Sequence, residues 1–214
     1  DTTRPVQIDT ARNWTGISAG TYHTLALKAN GTLWAWGRND DGELGDSTNT
    51  KRNVPVHIDT ANRWKGIYTG AMHSLGIKAN GAVMAWGDNQ YSQLGDGVNT
   101  DRKYAVQVHE VDDEWIYVEA SFLHSHALKL DGTLWTWGQN DVGQLGDGTN
   151  NSMKRSNPVQ IGASTNWLHV ASSLDHTLAL QADGTLWAWG QNNDGQLGDS
   201  TLISKNSPIQ IGLD

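Results

Sequence analysis

The apolar residues of this chain fall in short alternating runs. In residues 23–28, His23, Leu25 and Leu27 alternate with Thr24, Ala26 and Lys28. A period of two puts the two sets on opposite faces of a strand. In residues 33–36, Leu33 and Ala35 alternate with Trp34 and Trp36, so the largest side chains share one face. Asn30-Gly31 lies between these strands. It is a strong signal for a two-residue hairpin loop, in which both central residues take φ > 0. A short strand over 17–19, turned by Gly20, comes before them. Val6–Ile8, or its copy Val56–Ile58, reads as a fourth strand.

The same text is written four times. Trp14, Trp64, Trp115 and Trp167 open the copies, and Trp36, Trp86, Trp137 and Trp189, each followed by Gly, come 22 residues later in every copy. The leading Trp residues are 50, 51 and 52 apart, so all of the drift falls after the Trp-Gly pair. Loops absorb insertions at low cost and packed strands do not, so the 22-residue core is structural. Hairpin signals recur at Asn80-Gly81, Asp131-Gly132 and Asp183-Gly184, and the fourth strand recurs at Val106–Val108, Val159–Ile161 and Ile209–Ile211. Each copy predicts a four-stranded antiparallel meander with a large-residue face and a small-residue face. One such sheet is too small to stand alone. Stacked large face to small face, the sheets form a β-propeller or an arc of one. The expected fold is therefore all-β: a propeller or propeller arc of four four-stranded antiparallel blades, in one repeat domain over 1–214. The repeats are placed near 5–54, 55–104, 105–157 and 158–211.

Composition narrows the function. The chain is long enough to bury a real core, and its 11 Trp and 24 Gly are unusual. A net charge of −8 with no long basic run argues against a nucleic-acid partner. With no Cys there is neither a disulfide framework nor a thiolate metal site. No apolar stretch reaches membrane-span length, so membrane insertion is not expected, and no signal peptide is read. Low Lys, high Thr, Asn and Gly, and the lack of Cys lean toward an extracellular or cell-surface setting in a bacterium.

The stretches GTYHTLALKANGTLWAWGRNDDGELGD and SSLDHTLALQADGTLWAWGQNNDGQLGD resemble the repeats of the regulator of chromosome condensation family. The signature is His-Thr-Leu-Ala-Leu, then Asn/Asp-Gly, then Trp-Gly-x-Asn-x-x-Gly-Gln-Leu-Gly, and it covers nearly the whole chain. Departures are isolated: Met84 for a Trp, Ser121 and Ser173 for Gly20 and Gly70, Tyr104-Ala105 for a residue-Pro pair, and His126 where other copies have Leu. The resemblance implies a propeller that typically closes with seven blades, with a strand from one terminus completing the blade at the other. Here the fourth-strand motif occurs five times and the others four times, so the N-terminal copy, Pro5–Ile8, is spare. The chain is expected to be a piece of a longer array, or an arc that meets another chain. Its end blades would then be open to self-association through the fourth strand and the blade faces.

Candidate chemistry is sparse. His23, His73, His124 and His176 recur at one position. A catalyst is needed once rather than four times, so packing is the favoured reading. Asn39-Asp40-Asp41-Gly42, Asn192-Asn193-Asp194-Gly195 and the trailing Asp46, Asp96, Asp147 and Asp199 suggest calcium to the eye. They lack the alternating ligands and closing Glu of a calcium loop, and turn chemistry accounts for them better. Glu110, Asp112, Asp113 and Glu114 read as a solvated acidic loop. There is no nucleophile elbow and no phosphate loop, so neither an enzyme nor a cofactor is expected.

The variable turns carry more information. The turn after the first strand holds Thr21-Tyr22, Ala71-Met72, Phe122-Leu123 and Leu174-Asp175. The loop after the third strand adds Arg38, Asp88, Tyr91, Gln139 and Gln191. Strand alternation places both on one face of the array. Tyr22, Arg38, Met72, Tyr91, Phe122, Leu123 and Leu174 are the candidate partner-binding residues, since aromatic and Arg anchors in a polar rim mark interface hot spots. Capping of the axial channel is the alternative role for the apolar ones. A non-catalytic protein-recognition scaffold is the expected function. The alternatives are a building block of a larger adhesin or surface filament, and a carbohydrate-binding module. The resemblance implies, for one bacterial class, inhibition of β-lactamases through loops on one face. For eukaryotic relatives it implies nucleotide exchange on a small GTPase and chromatin binding. The acidic balance argues against the chromatin role.

Overall fold

Each copy of the repeat becomes one sheet. The computed structural model describes residues 3–59, 63–108, 114–150 and 154–212. Blade 1 comprises β1 (Trp14–Ala19), β2 (His23–Lys28), β3 (Leu33–Gly37) and β4 (Arg52–Asp59). Blade 2 comprises β5 (Trp64–Thr69), β6 (His73–Lys78), β7 (Val83–Gly87) and β8 (Arg102–Gln107). Blade 3 comprises β9 (Trp115–Ala120), β10 (His124–Lys129), β11 (Leu134–Gly138) and β12 (Arg155–Gln160). Blade 4 comprises β13 (Trp167–Ser172), β14 (His176–Gln181), β15 (Leu186–Gly190) and β16 (Lys205–Ile211). Every sheet is an antiparallel meander in chain order. The blades therefore run over 14–59, 64–107, 115–160 and 167–211. Repeat boundaries at 54, 104 and 157 each cut through a fourth strand. The physical reason is that the third strand pairs with the strand that follows it in the chain.

Two local expectations change. The hairpin loop is longer than two residues: Gly31 N donates to Lys28 O at 2.8 Å, and Lys28 N donates to Thr32 O at 3.1 Å. Only Gly31 (φ 77°) takes positive φ there, so a three-residue loop with a left-handed Gly replaces the expected two-residue turn. The N-terminal motif Pro5–Ile8 forms no strand. Its residues match Pro208–Ile211 in kind, but no third strand lies beside it to supply a ladder, and Val6 and Ile8 are exposed. Of the acidic loop, Glu110, Asp112 and Asp113 lie outside the described residues.

The core is the set of seams between blades. Leu25, Leu27, Leu33, Ala35 and Leu44 of blade 1 meet Trp64, Ile67, Met84 and Trp86 of blade 2, with Ile58 alongside. The next two seams repeat the pattern around Trp137 and Trp189. Large side chains on one face thus pack against the aliphatic face of the blade before. Burying one such Trp removes roughly 150–250 Å² from water, an upper estimate of about 4–6 kcal/mol.

A polar latch pins each seam. His23 Nε2 meets Ser74 Oγ of the next blade at 2.9 Å, and that hydroxyl donates to the Glu43 carbonyl at 2.9 Å. His73 and Ser125 repeat this with the Gln93 carbonyl. The first strands lie innermost, touching one another across blades through β1, β5, β9 and β13.

Candidate protein-binding face

The turn after the first strand and the loop after the third meet on one face because the backbone ties them together. Arg38 N donates to Tyr22 O, Asp88 N to Met72 O, Gln139 N to Leu123 O and Gln191 N to Asp175 O, at 2.8–3.0 Å. Gly87 begins this junction at φ 101°; a Cβ there would lie 2.6 Å from Met72 O.

The candidate residues sort into two rings. Phe122 and Leu174 stand at the same repeat position as Thr21 and Ala71, and all four line a recess of about 480 Å³ at the mouth of the axis. Tyr22, Met72 and Leu123 occupy the adjoining repeat position, beside the outer loops. Tyr22, Phe122 and Leu174 are exposed, whereas Met72, Leu123 and Tyr91 are half-buried. Tyr91 lies under Lys154 of the next blade, whose Nζ sits 4.7 Å from the ring centre.

Arg38 is the hub of the outer ring. It pairs with Asp40 and Asp41 at 3.0 Å each, faces Glu43 at 3.4 Å, donates to Met72 Sδ at 3.4 Å and stacks 6.0 Å from the Tyr22 ring. Blade 2 changes both partners at once. Asp88 stands in the place of Arg38, Gln93 in the place of Glu43, and Gln93 Nε2 donates to Asp88 at 2.9 Å. The two pairings preserve one contact with reversed polarity.

Carboxylates crowd this face. Burial pushes Asp41 and Asp88 above the usual range, and Asp101 adds repulsion to both. Asp175 is raised first by burial and then by Asp141. A cation brought to this face relieves that repulsion.

The loop acids that suggested calcium are already engaged. Asn39, fully buried, donates to Asp46 Oδ1 at 3.0 Å and accepts from Leu44 N at 2.9 Å. Asp46, Asp96 and Asp147 pair with Arg52, Arg102 and Arg155 at 2.6–2.7 Å, and Asp199 with Lys205 at 3.2 Å. Among the described residues no three His, Cys, Asp or Glu side chains converge as a metal site.

His23, His73 and His124 are buried in the seams and held neutral, while His176 on blade 4 is half-buried. Burial lowers His23 to about 4 and His73 to about 3. Blade 3 breaks the rule. There His126, not His124, meets Thr177 Oγ1, at 3.2 Å, and both ring nitrogens of the fully buried His124 lack a hydrogen-bond partner.

The family model of the RCC1-like domain matches residues 1–213. The chain belongs to the RCC1-like domain family. Among curated relatives of this RCC1-like chain, the ultraviolet-B receptor UVR8 of Arabidopsis thaliana is 30% identical over 197 residues, covering 90% of this chain and 44% of the receptor. The human E3 ubiquitin-protein ligase HERC2 is 28% identical over 200 residues, 91% of this chain and 4% of that protein. Human WBSCR16 superposes with a TM-score of 0.86 at 20% identity, over 99% of this chain and 56% of its own. Yeast RCC1 (Prp20), solved bound to Kap60, gives 0.83 at 20% identity, over 95% and 50%. These structures share the propeller fold, and the RCC1-like chain spans about half of each. It covers less than half of those curated relatives.

Proposed function

We propose that the chain is a non-catalytic recognition module that binds a protein through the turn-and-loop face. The observation that carries this is the exposure of Phe122 and Leu174 at one recess, with Tyr22 exposed on the adjoining outer ring, on a face that also carries mutually repelling carboxylates. Apolar anchors in a charged rim suit a partner that inserts an apolar side chain and surrounds it with Lys or Arg. The binding of yeast RCC1 to Kap60 supports a protein as the partner class. The test is to capture partners on the immobilised chain and measure affinity for Tyr22→Ala and Phe122→Ala. Each is expected to lose roughly 2 kcal/mol of binding with the thermal midpoint unchanged. Unfolding of either variant would move these residues to the core.

A building-block role is the second reading. It is favoured by the repetition of one blade and one kind of seam along the chain. The extracellular or cell-surface bacterial setting is proposed on composition alone, and the residues flanking this stretch in its gene test it.

A further inference from the structure

Blade 2 departs from the other three at two neighbouring positions, and a cavity lies beside that departure. Trp34, Trp135 and Trp187 share one repeat position, and their Nε1–H groups donate to Thr32, Thr133 and Thr185 at 2.9–3.2 Å. Blade 2 has Met84 and Ala82 in those places, so the ring and its hydroxyl partner are lost together. The ring has a fixed setting in the other blades. It meets the leading Trp edge to face, with centres 5.9–6.1 Å apart. In blades 1 and 3 a lysine lies against both rings. Lys28 Nζ is 4.5 Å from the centre of Trp14 and 4.0 Å from that of Trp34; Lys129 Nζ is 4.7 Å from Trp115 and 4.5 Å from Trp135. Lys78 has Trp64 alone, at 5.9 Å. The thin, flexible Met84 side chain does not fill the room of an indole, and the seam between blades 1 and 2 holds a cavity of about 230 Å³. Leu33, Ile58, Trp64, Met84, Trp86 and Lys78 are among the residues lining it.

We propose that this cavity is a binding site for a free, uncharged aromatic molecule of indole size. The other blades show what fits: an indole ring in the same place, edge to face on the leading Trp and under the lysine. Bound in blade 2, the ring rests on Trp64 and turns its π face to Lys78, which then sits between two rings as Lys28 and Lys129 do. The ammonium is drawn to the negative face of an electron-rich ring. Lys78 and Asp59 both line the cavity, so it carries no net charge to select an ion. Interiors are otherwise close-packed, and a cavity of about 150 Å³ with apolar walls already admits benzene. Leu33, Trp64, Met84 and Trp86 are buried, so the walls are set before the ring arrives. The cavity belongs to a seam enclosed by two blades of this chain. It shares no residue with the candidate protein-binding residues of the turn-and-loop face, so it adds a small-molecule site to a recognition module.

The test is titration of the full chain, labelled with ¹³C at its methionine methyl groups, with indole. The ring current of bound indole should move the Met84 methyl resonance in a saturable way, while the Met72 methyl on the loop face stays in place. Met84→Trp, which writes the indole of the other blades into the cavity, should weaken indole binding at least about tenfold by saturation-transfer NMR. Ala82→Thr/Met84→Trp also restores the hydroxyl partner and is the second filled variant, should the first fail to fold by near-ultraviolet circular dichroism. Lys78→Gln copies Gln181 of blade 4 and should weaken binding roughly 2- to 30-fold, the range of a cation–π contact. A Met84 methyl that does not respond to millimolar indole overturns the proposal, and that reading needs no variant to fold. Unchanged affinity in a folded filled variant, or movement of Met72 in place of Met84, overturns it as well.

Discussion

Trp86 donates its indole Nε1–H to the Glu43 carbonyl of the preceding blade at 2.8 Å. The same oxygen accepts from Ser74 Oγ, so one backbone carbonyl serves two side chains of the next blade. Trp137 and Trp189 repeat the bond on Gln93 and Gln144. The hydrogen bond itself is worth about 1 kcal/mol, against about 4–6 kcal/mol for the buried ring. The ring gives the seam its strength, and the bond fixes how deep it seats.

Trp86→Phe keeps most of the ring and removes the donor. Its expected cost is about 1–3 kcal/mol in urea unfolding. Trp36→Phe, at the half-buried copy of this position in blade 1, should cost under about 1 kcal/mol. Equal losses at the two positions would separate the bond from seam stability.

Acid should weaken the stack through its histidines. His23, lowered from 6.5 to about 4, and His73 and His126, lowered to about 3, are neutral when folded. The unfolded chain takes up their protons first, so their contribution is intact above pH 6.5 and falls as the pH drops toward 4 and 3. For His23 alone the loss is on the order of 3 kcal/mol. Carboxylates respond in a lower window. Burial raises Asp46 and Asp147, but hydrogen bonds from Thr and Arg partners outweigh it and leave both below 3.8. Their stabilisation is present above that value and lost beneath it. Thermal midpoints from pH 7 to 4 measure the first window, and His23→Gln should flatten the fall. An unchanged slope contradicts this assignment.

His126→Leu should be neutral or stabilising by about 1 kcal/mol. His126 Nδ1 and both nitrogens of His124 are buried without a hydrogen-bond partner. A Leu at 126 matches Leu25 and Leu75 in the other blades and frees the Thr177 hydroxyl for His124, as Ser74 serves His23. His126→Ala leaves a cavity and should cost about 2–4 kcal/mol. Similar losses for both substitutions, by denaturant titration, would show that the imidazole at 126 is itself required.

Gly87→Ala should be among the most damaging small changes. Its φ of 101° excludes most side chains, and the new Cβ would sit 2.6 Å from Met72 O. Gly162, at φ 62° with open space around it, is the control. The expected costs are about 3 kcal/mol or more and about 1 kcal/mol respectively. Comparable melting shifts would mean that the junction tolerates movement.

The blades were legible because period-two alternation and a fixed Trp-to-Trp spacing both report strands packed on strands. The face-sharing of Trp34 with Trp36, and of Leu25 with Leu27, carried directly into the seams. The carbonyls of Glu43, Gln93 and Gln144 were not legible, since a backbone oxygen has no letter of its own. Asn39 read as an ordinary turn residue. Its full burial depends on Asp46 and the Thr48 and Thr50 carbonyls closing around it. Pro5–Ile8 read as a strand because its residues match the other four motifs, but a strand is made by its neighbour as much as by its own side chains. Tyr22, Phe122 and Leu174 stood out as apolar residues in turns. Their division into an inner recess and an outer ring needed the register of β1, β5, β9 and β13.

The seams also set where the stack gives way. Blades 2 and 3 are clamped on both sides, while blades 1 and 4 each share a single junction with the rest. Amide protons in β6 and β10 should therefore outlast those in β2 and β14 in deuterium exchange, with protection falling from the middle outward. The four near-identical sentences of this sequence thus carry unequal weight. Position in the row, more than wording, decides which of them comes undone first.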